Sequence, residues 1–147
     1  MKVRRTVALA AMTLLAAGCA QGLQVQKADR EALLSRSKHV VLLTQSKWDG
    51  RLRQALVDEG FRVDGAPGTA TTGVAMTLGK QVDFCVVNEN IKLDIVTLTV
   101  TDLETRKTLL TVAKGGITGP CAWHTGSVFE DLAVALKDVW EGRDPDR

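Results

Sequence analysis

Apolar residues fall along the chain in three kinds of pattern. The first is continuous. Residues 39–44 read HVVLLT, a β-branched run that suits a strand covered on both faces. The second has helical spacing. Trp48, Leu52, Ala55 and Leu56 stand at i, i+4, i+7 and i+8, and Val128, Leu132, Ala135, Leu136, Val139 and Trp140 make a longer stripe of the same period. Ser46 with Asp49, and Ser127 with Glu130, have capping-box spacing at the heads of these stripes. Gly60 is placed to end the first helix in a left-handed turn with Phe61 folding back, and Gly142 to stop the second. The third pattern alternates. Val96, Leu98 and Val100 share one side of an extended chain and Thr97, Thr99 and Thr101 the other, as in a half-buried antiparallel strand.

The segments between these complete an order of elements. FRV (61–63) starts a second strand, so the fold opens strand–helix–strand. GAPGTATTG (65–73) is loop by composition, and VAMTLGK (74–80) reads as a short helix. VDFCVVNENI (82–91) reads as a strand, KLDIVTLTVTD (92–102) as the next, and TLLTVAK (108–114) as its hairpin partner across LETRK. GGITGPCAWHTG (115–126) reads as an irregular loop. The expected fold class is α/β (α+β): a single small domain with two main helices on a mixed sheet of four or five strands. Its expected core includes Val41, Leu43, Leu52, Leu56, Phe84, Val86, Val96, Leu98, Val100, Leu132, Leu136 and Trp140.

The N-terminus carries a different signal. Lys2, Arg4 and Arg5 precede the uncharged run Val7–Ala17, which is short of the roughly 20 apolar residues needed to span a bilayer. This is the layout of a secretory signal peptide. Its ending, Ala16-Ala17-Gly18-Cys19, resembles the lipobox of bacterial lipoproteins, with Ala16 where Leu is commonest. That resemblance implies cleavage before Cys19 and acylation of the Cys19 thiol and amine. Ala20, not Asp, follows, which by the sorting rule of enteric lipoproteins implies the outer membrane. The expected organisation is signal peptide 1–18, lipidated Cys19 and flexible tether 19–37, α/β periplasmic domain 38–142 and a solvated tail 143–147, with a fragment of helix at Asp29–Leu34 inside the tether.

Processing changes the charge. The full chain has 19 basic and 17 acidic residues; losing Lys2, Arg4 and Arg5 leaves 16 against 17, a formal charge of −1. A near-neutral domain gives no electrostatic ground for nucleic-acid binding. Cysteine use also resolves. With Cys19 taken by lipid, Cys85 and Cys121 remain as a pair in an oxidising compartment, where a disulfide is expected. It would close a loop of about 37 residues, worth roughly 4 kcal/mol in the chain-entropy account. The alternatives are free thiols and zinc held by Cys85, Cys121 and His124, with His39 as an optional fourth ligand, a set that lacks the paired C-x₂₋₄-C of structural sites. No metal or cofactor is expected.

Candidate chemistry is sparse. GVAMTLGKQ (73–81) puts five residues, not four, between its glycines and Gln81 where a phosphate loop has Ser or Thr. His39 opens a buried strand. His124 has no G-x-S-x-G serine elsewhere in the chain, and Ser127 reads better as a helix cap. Asp83, Glu89 and Asp94 read as solvated strand charges. Trp123, an indole in a Gly-flanked loop, is either a lid over the disulfide or an exposed anchor for a partner.

Two phrases, LGKQVDFCVV (78–87) and VTLTVTDLETRKTLLT (96–111), resemble periplasmic α/β lipoprotein domains such as those of the curli-secretion lipoprotein and the lipoprotein activators of penicillin-binding proteins. The second departs from that pattern at Arg106, where Gly is usual. The resemblance implies binding and assembly in place of catalysis. The expected function is therefore a lipid-anchored, non-catalytic interaction module of the cell envelope, held to the outer membrane through Cys19 and acting with an envelope protein or further copies of itself. The alternative is a small periplasmic hydrolase or ligand-binding lipoprotein.

Overall fold

The computed structural model describes residues 22–26, 28–64, 68–85, 90–118 and 127–145; of residues 81–85 and 90–94 it describes the backbone alone. The chain runs β1 (Gln24–Gln26), α1 (Arg30–Leu34), β2 (His39–Leu42), α2 (Asp49–Asp58), β3 (Arg62–Asp64), β4 (Thr72–Leu78), β5 (Gln81–Cys85), β6 (Asn90–Asp102), β7 (Thr108–Ile117) and α3 (Val128–Trp140). All strands join one mixed sheet ordered β1-β7-β6-β4-β2-β3, with β5 pairing with β6 beside that path. β2 is parallel to both β3 and β4, and the other pairs are antiparallel.

The mixed α/β single domain is as expected, and its element count is larger: seven strands and three helices among the described residues. Two strands come from segments read otherwise. Residues 74–80 are not a helix: 74–78 form most of β4, which pairs with β6 from Thr72↔Asp102 to Leu78↔Val96. Ala, Met and Leu favour helix, yet Val74 and Met76 are buried where Thr77 is exposed, and cross-strand packing outweighs the propensity. The other is β1, which lies inside the expected flexible tether. Gln24–Gln26 pairs with Thr111–Ala113 of β7, and α1 follows with Leu33 fully buried. An edge strand and a one-turn helix need only Val25 and Leu33 inside, so their polar composition passes for a linker. The strand read over 82–91 ends at Cys85 as β5, and β6 starts at Asn90, earlier than read.

The helices end as their glycines predict. Gly60 has φ +85°, Phe61 N–H bonds Leu56 O at 2.9 Å, and Gly60 N–H bonds Val57 O at 2.9 Å, which completes a Schellman turn. Gly142, at φ +77°, closes α3 the same way, with Arg143 N–H on Asp138 O. At the head of α3 both arms of the Ser127–Glu130 capping box form. At the head of α2 the box does not: the N-cap is Trp48, and the Ser46 hydroxyl accepts from Trp48 N–H and donates to Asp49.

One core lies between the helices and one sheet face. Val40, Val74, Val96, Leu98, Val100, Leu110 and Val112 meet Leu33, Leu52, Leu56, Phe129, Leu132 and Leu136 there, all fully buried. Val40 and Val41 are both fully buried, so β2 is covered on both faces as read. Leu43 is a correction to the expected core: it follows the end of β2 and is 45% exposed. Val86 lies outside the described residues, as does the Phe84 side chain. Trp48 stacks obliquely on Phe129 at 6.0 Å, and Phe61 meets Trp140 edge-on at 5.3 Å.

Candidate functional site

Strand directions divide the molecule into two ends. β2, β3, β4, β5 and β7 run toward one end; β1 and β6 run away from it. Cys85 closes β5 at that first end. Residues 119–126, which carry Cys121, Trp123 and His124, lie outside the described residues, but their stems are at the same end. Thr118 O accepts from the Arg51 guanidinium of α2 at 2.6 Å. Gly116 lies so close to α3 that a Cβ there would sit 3.2 Å from Val128 Cβ. The double glycine read as part of a loop thus continues β7 and makes room for the start of α3, so both stems are anchored together.

A shallow cleft of about 140 Å³ opens beside them, lined by Arg51, Gln54, Ala55, Asp58, Ser127 and Glu130. Arg51, Ser127 and Glu130 already serve the loop stem and the helix cap. Lys47 lies over the Trp48 ring at 4.8 Å, which shields the head of α2.

The other end holds the charge network. Arg36 binds Asp102 at 2.5 Å, and Asp102 accepts from the backbone N–H groups of Glu104 and Thr105. Burial pushes the Asp102 carboxyl up; the Glu104 and Thr105 donors and the Arg36 guanidinium outweigh it and hold the group below the usual carboxylate range. Lys107 bonds Asp29 at 2.9 Å, which lowers Asp29 and raises Lys107. Glu59 raises Lys137 through a 2.7 Å bond. Lys38, with Arg143, holds Glu141 low, and Asp138 together with Glu141 raises Arg143. Each shifted group is spent on a turn, a helix end or the N-terminal segment.

The residues weighed for catalysis do not converge among the described side chains. His39 Nε2 meets Asp64 Oδ2 at 2.5 Å across the parallel β2–β3 pair, and Arg62 completes the group at 3.7 Å, so His39 is a strand-edge residue. Asp83 and Asp94 are placed by backbone only, and Glu89 lies outside the described residues, as does Cys19. No cluster of three metal-ligating side chains occurs among the described residues. The sequence reading missed the Arg51–Thr118 contact and the Asp102 hub. The hub had a signal: Asp102 followed by Leu-Glu-Thr is the spacing of a carboxylate that caps its own turn.

No protein-family model matches the chain, and no curated protein does. Among solved structures it is similar to the PelC dodecamer from Paraburkholderia phytofirmans, in two crystal forms, at 12% identity over 82% of this chain and 94% of that one, with a TM-score of 0.43. It is also similar to a candidate lipoprotein from Caulobacter crescentus CB15, at 17% identity over 81% of this chain and 86% of that one, with a TM-score of 0.36.

Proposed function

We propose that this chain is a lipid-anchored, non-catalytic interaction module of the bacterial cell envelope, attached through Cys19 to the periplasmic face of the outer membrane. One observation carries the reading: the cysteine that ends the lipobox-like stretch stands only four positions before Leu23, which packs against the core. The charged side chains of Arg36, Arg51, Lys107 and Lys137 support it as well, since each is engaged within the domain, at a turn, a loop stem or an ion pair. Cys85 and Cys121 form a disulfide in this reading, and Trp123 contacts an envelope protein or a second copy.

The test uses the producing bacterium. Cys19→Ala should leave an unprocessed precursor that takes up no labelled palmitate, and density fractionation should place the natural chain in the outer membrane. Envelope crosslinking with mass spectrometry should capture one dominant protein partner or further copies of the chain, and Trp123→Ala should weaken that capture in a folded domain. Label uptake by the Cys19→Ala chain overturns the anchor. Turnover of an ester, peptide or glycan substrate by the purified domain overturns the non-catalytic reading.

A further inference from the structure

An anchor at Cys19, the reading on which this inference rests, leaves a very short spacer. Leu23 packs against the core and β1 starts at Gln24. Leu23 is four positions beyond Cys19, a span of about 14 Å at full extension. A domain of this size has a radius of gyration of about 14 Å, and so a diameter of about 35 Å. The spacer is less than half of that, so an acylated Cys19 cannot pass round the domain. It stays on the side from which β1 is entered.

The pairing registers say what else lies on that side. Gln24 is opposite Ala113, so the chain traced back from β1 toward Cys19 runs in the direction in which β7 runs forward. β7 continues to Ile117, which pairs with Lys92 of β6. On the other flank of β6, β5 pairs from Gln81↔Leu93 to Cys85↔Asn90. Lys114, one residue beyond the level of Gln24, pairs with Val96. From the level of Lys114 to that of Ile117, opposite Lys92, is three residues of β7, and Asn90 lies two further along β6, the bulge between Leu93 and Val96 taking up one β6 residue: five rises, about 17 Å. The β5–β6 hairpin therefore projects about 17 Å past Leu23, farther than a spacer of about 14 Å can reach.

A lipidated cysteine sits at the level of the headgroups with its acyl chains below. The hairpin is longer than the distance by which the spacer can raise the domain, so an upright domain meets the bilayer hairpin-first and a tilted one along the hairpin's flank. We infer that the paired end of this hairpin, Gln81–Cys85 against Asn90–Leu93, is the domain's membrane-contact surface, and that its partner is the phospholipid headgroup layer. The turn between β6 and β7 is the opposite pole: β6 has 13 residues, and Asp102 is about 40 Å from Asn90 along it.

The experiment places the photocrosslinking residue p-benzoylphenylalanine in the full, acylated chain, in place of Lys92 or Gln81 in the hairpin, or of Arg106 at the far turn. The protein is reconstituted in vesicles of phosphatidylethanolamine and phosphatidylglycerol, and lipid adducts are read by mass on the modified peptide. The N-terminal peptide is weighed in the same digest. The expected result is a phospholipid adduct at both hairpin positions, none at Arg106, and loss of the hairpin adducts when a Gly/Ser spacer of about 20 residues, with a reach near 25 Å, is inserted after Ala20. An N-terminal peptide without a diacylglyceryl mass overturns the anchor, and this inference with it. An acylated peptide with no hairpin adduct, with equal adducts at Arg106, or with adducts that survive the spacer overturns the membrane-contact surface and leaves the anchor standing.

Discussion

Arg36 and Asp102 lie 66 residues apart in sequence and meet at 2.5 Å, which fastens the N-terminal segment to the turn between β6 and β7. The same segment is held again where Trp140 Nε1–H donates to Arg36 O at 3.0 Å and where Asp29 N–H donates to Leu109 O at 2.7 Å. Asp102→Ala should lower the thermal unfolding midpoint and open residues 28–38 to limited proteolysis. Asp102→Asn should lose less, because its amide oxygen still accepts from Glu104 and Thr105 while the charge facing Arg36 is gone. Equal midpoints for the natural chain and Asp102→Ala would remove the hub from the account of stability.

Acid should act through the same network. Asp29, Asp102 and Glu141 are each held below their ordinary values, so their contribution is complete at neutral pH. As pH falls below about 4 the unfolded chain takes up protons first, and stability drops until the folded-state values are passed. Lys107 and Lys137 are raised, so their share is complete below about 10 and is lost as pH rises beyond it. Urea midpoints across a pH series should show a plateau with both flanks falling; stability that climbs on acidification contradicts the assignment.

The N-terminal segment also enters the core. Leu33 is fully buried among α3 and β7 residues. Leu33→Ala should cost about 2–5 kcal/mol, the range for deleting a buried leucine. Its neighbour Leu34 is 58% exposed, so Leu34→Ala serves as the control, with a change within about 0.5 kcal/mol. Similar denaturant midpoints for the two variants would restore the view of residues 19–37 as a free tether.

That segment shows where the sequence could be read and where it could not. Strong periodicity located α2 and α3, and the Val–Thr alternation located β6, because each repeats over several turns or residue pairs. β1 and α1 carry one inward residue apiece in places, too few to make a period. β4 was ambiguous for another reason: its Ala, Met and Leu are helix formers, and only pairing with β6, a partner distant in sequence, decides the matter. For function, the cysteine after Gly18 is legible locally, whereas the level of the β5–β6 hairpin relative to β1 is a property of register, which no single stretch encodes.

The backbone at Arg106 has a measurable cost. Arg106 has φ +58°, the left-handed conformation that favours glycine. Arg106→Gly should stabilise the domain by roughly 0.5–1 kcal/mol, since the left-handed strain of about 1–2 kcal/mol is relieved while glycine's looser unfolded chain takes part of it back. The side chain is exposed, so little packing is lost. A denaturant midpoint that falls would mean that the arginine makes a contact stronger than the strain.

The remaining prediction concerns Cys85 and Cys121. β5 and β7 flank β6 on opposite sides at the level of Lys92, which pairs with both Asp83 and Ile117. Their axes are therefore about 10 Å apart. Both strands run to the same end, Cys85 ends one of them, and Cys121 follows Thr118 by three residues, a reach of about 10 Å. A bridge needs Cα atoms within about 7 Å, which a reach of about 10 Å across that gap permits. The non-reduced domain should weigh about two daltons less than the reduced one, the mass of the two hydrogens lost on oxidation of the thiol pair. Reduction should lower stability by up to roughly 4 kcal/mol, through the loop of about 37 residues that it reopens. Equal masses before and after reduction would remove the bridge, and a zinc-sized adduct in native mass spectrometry would put a metal in its place.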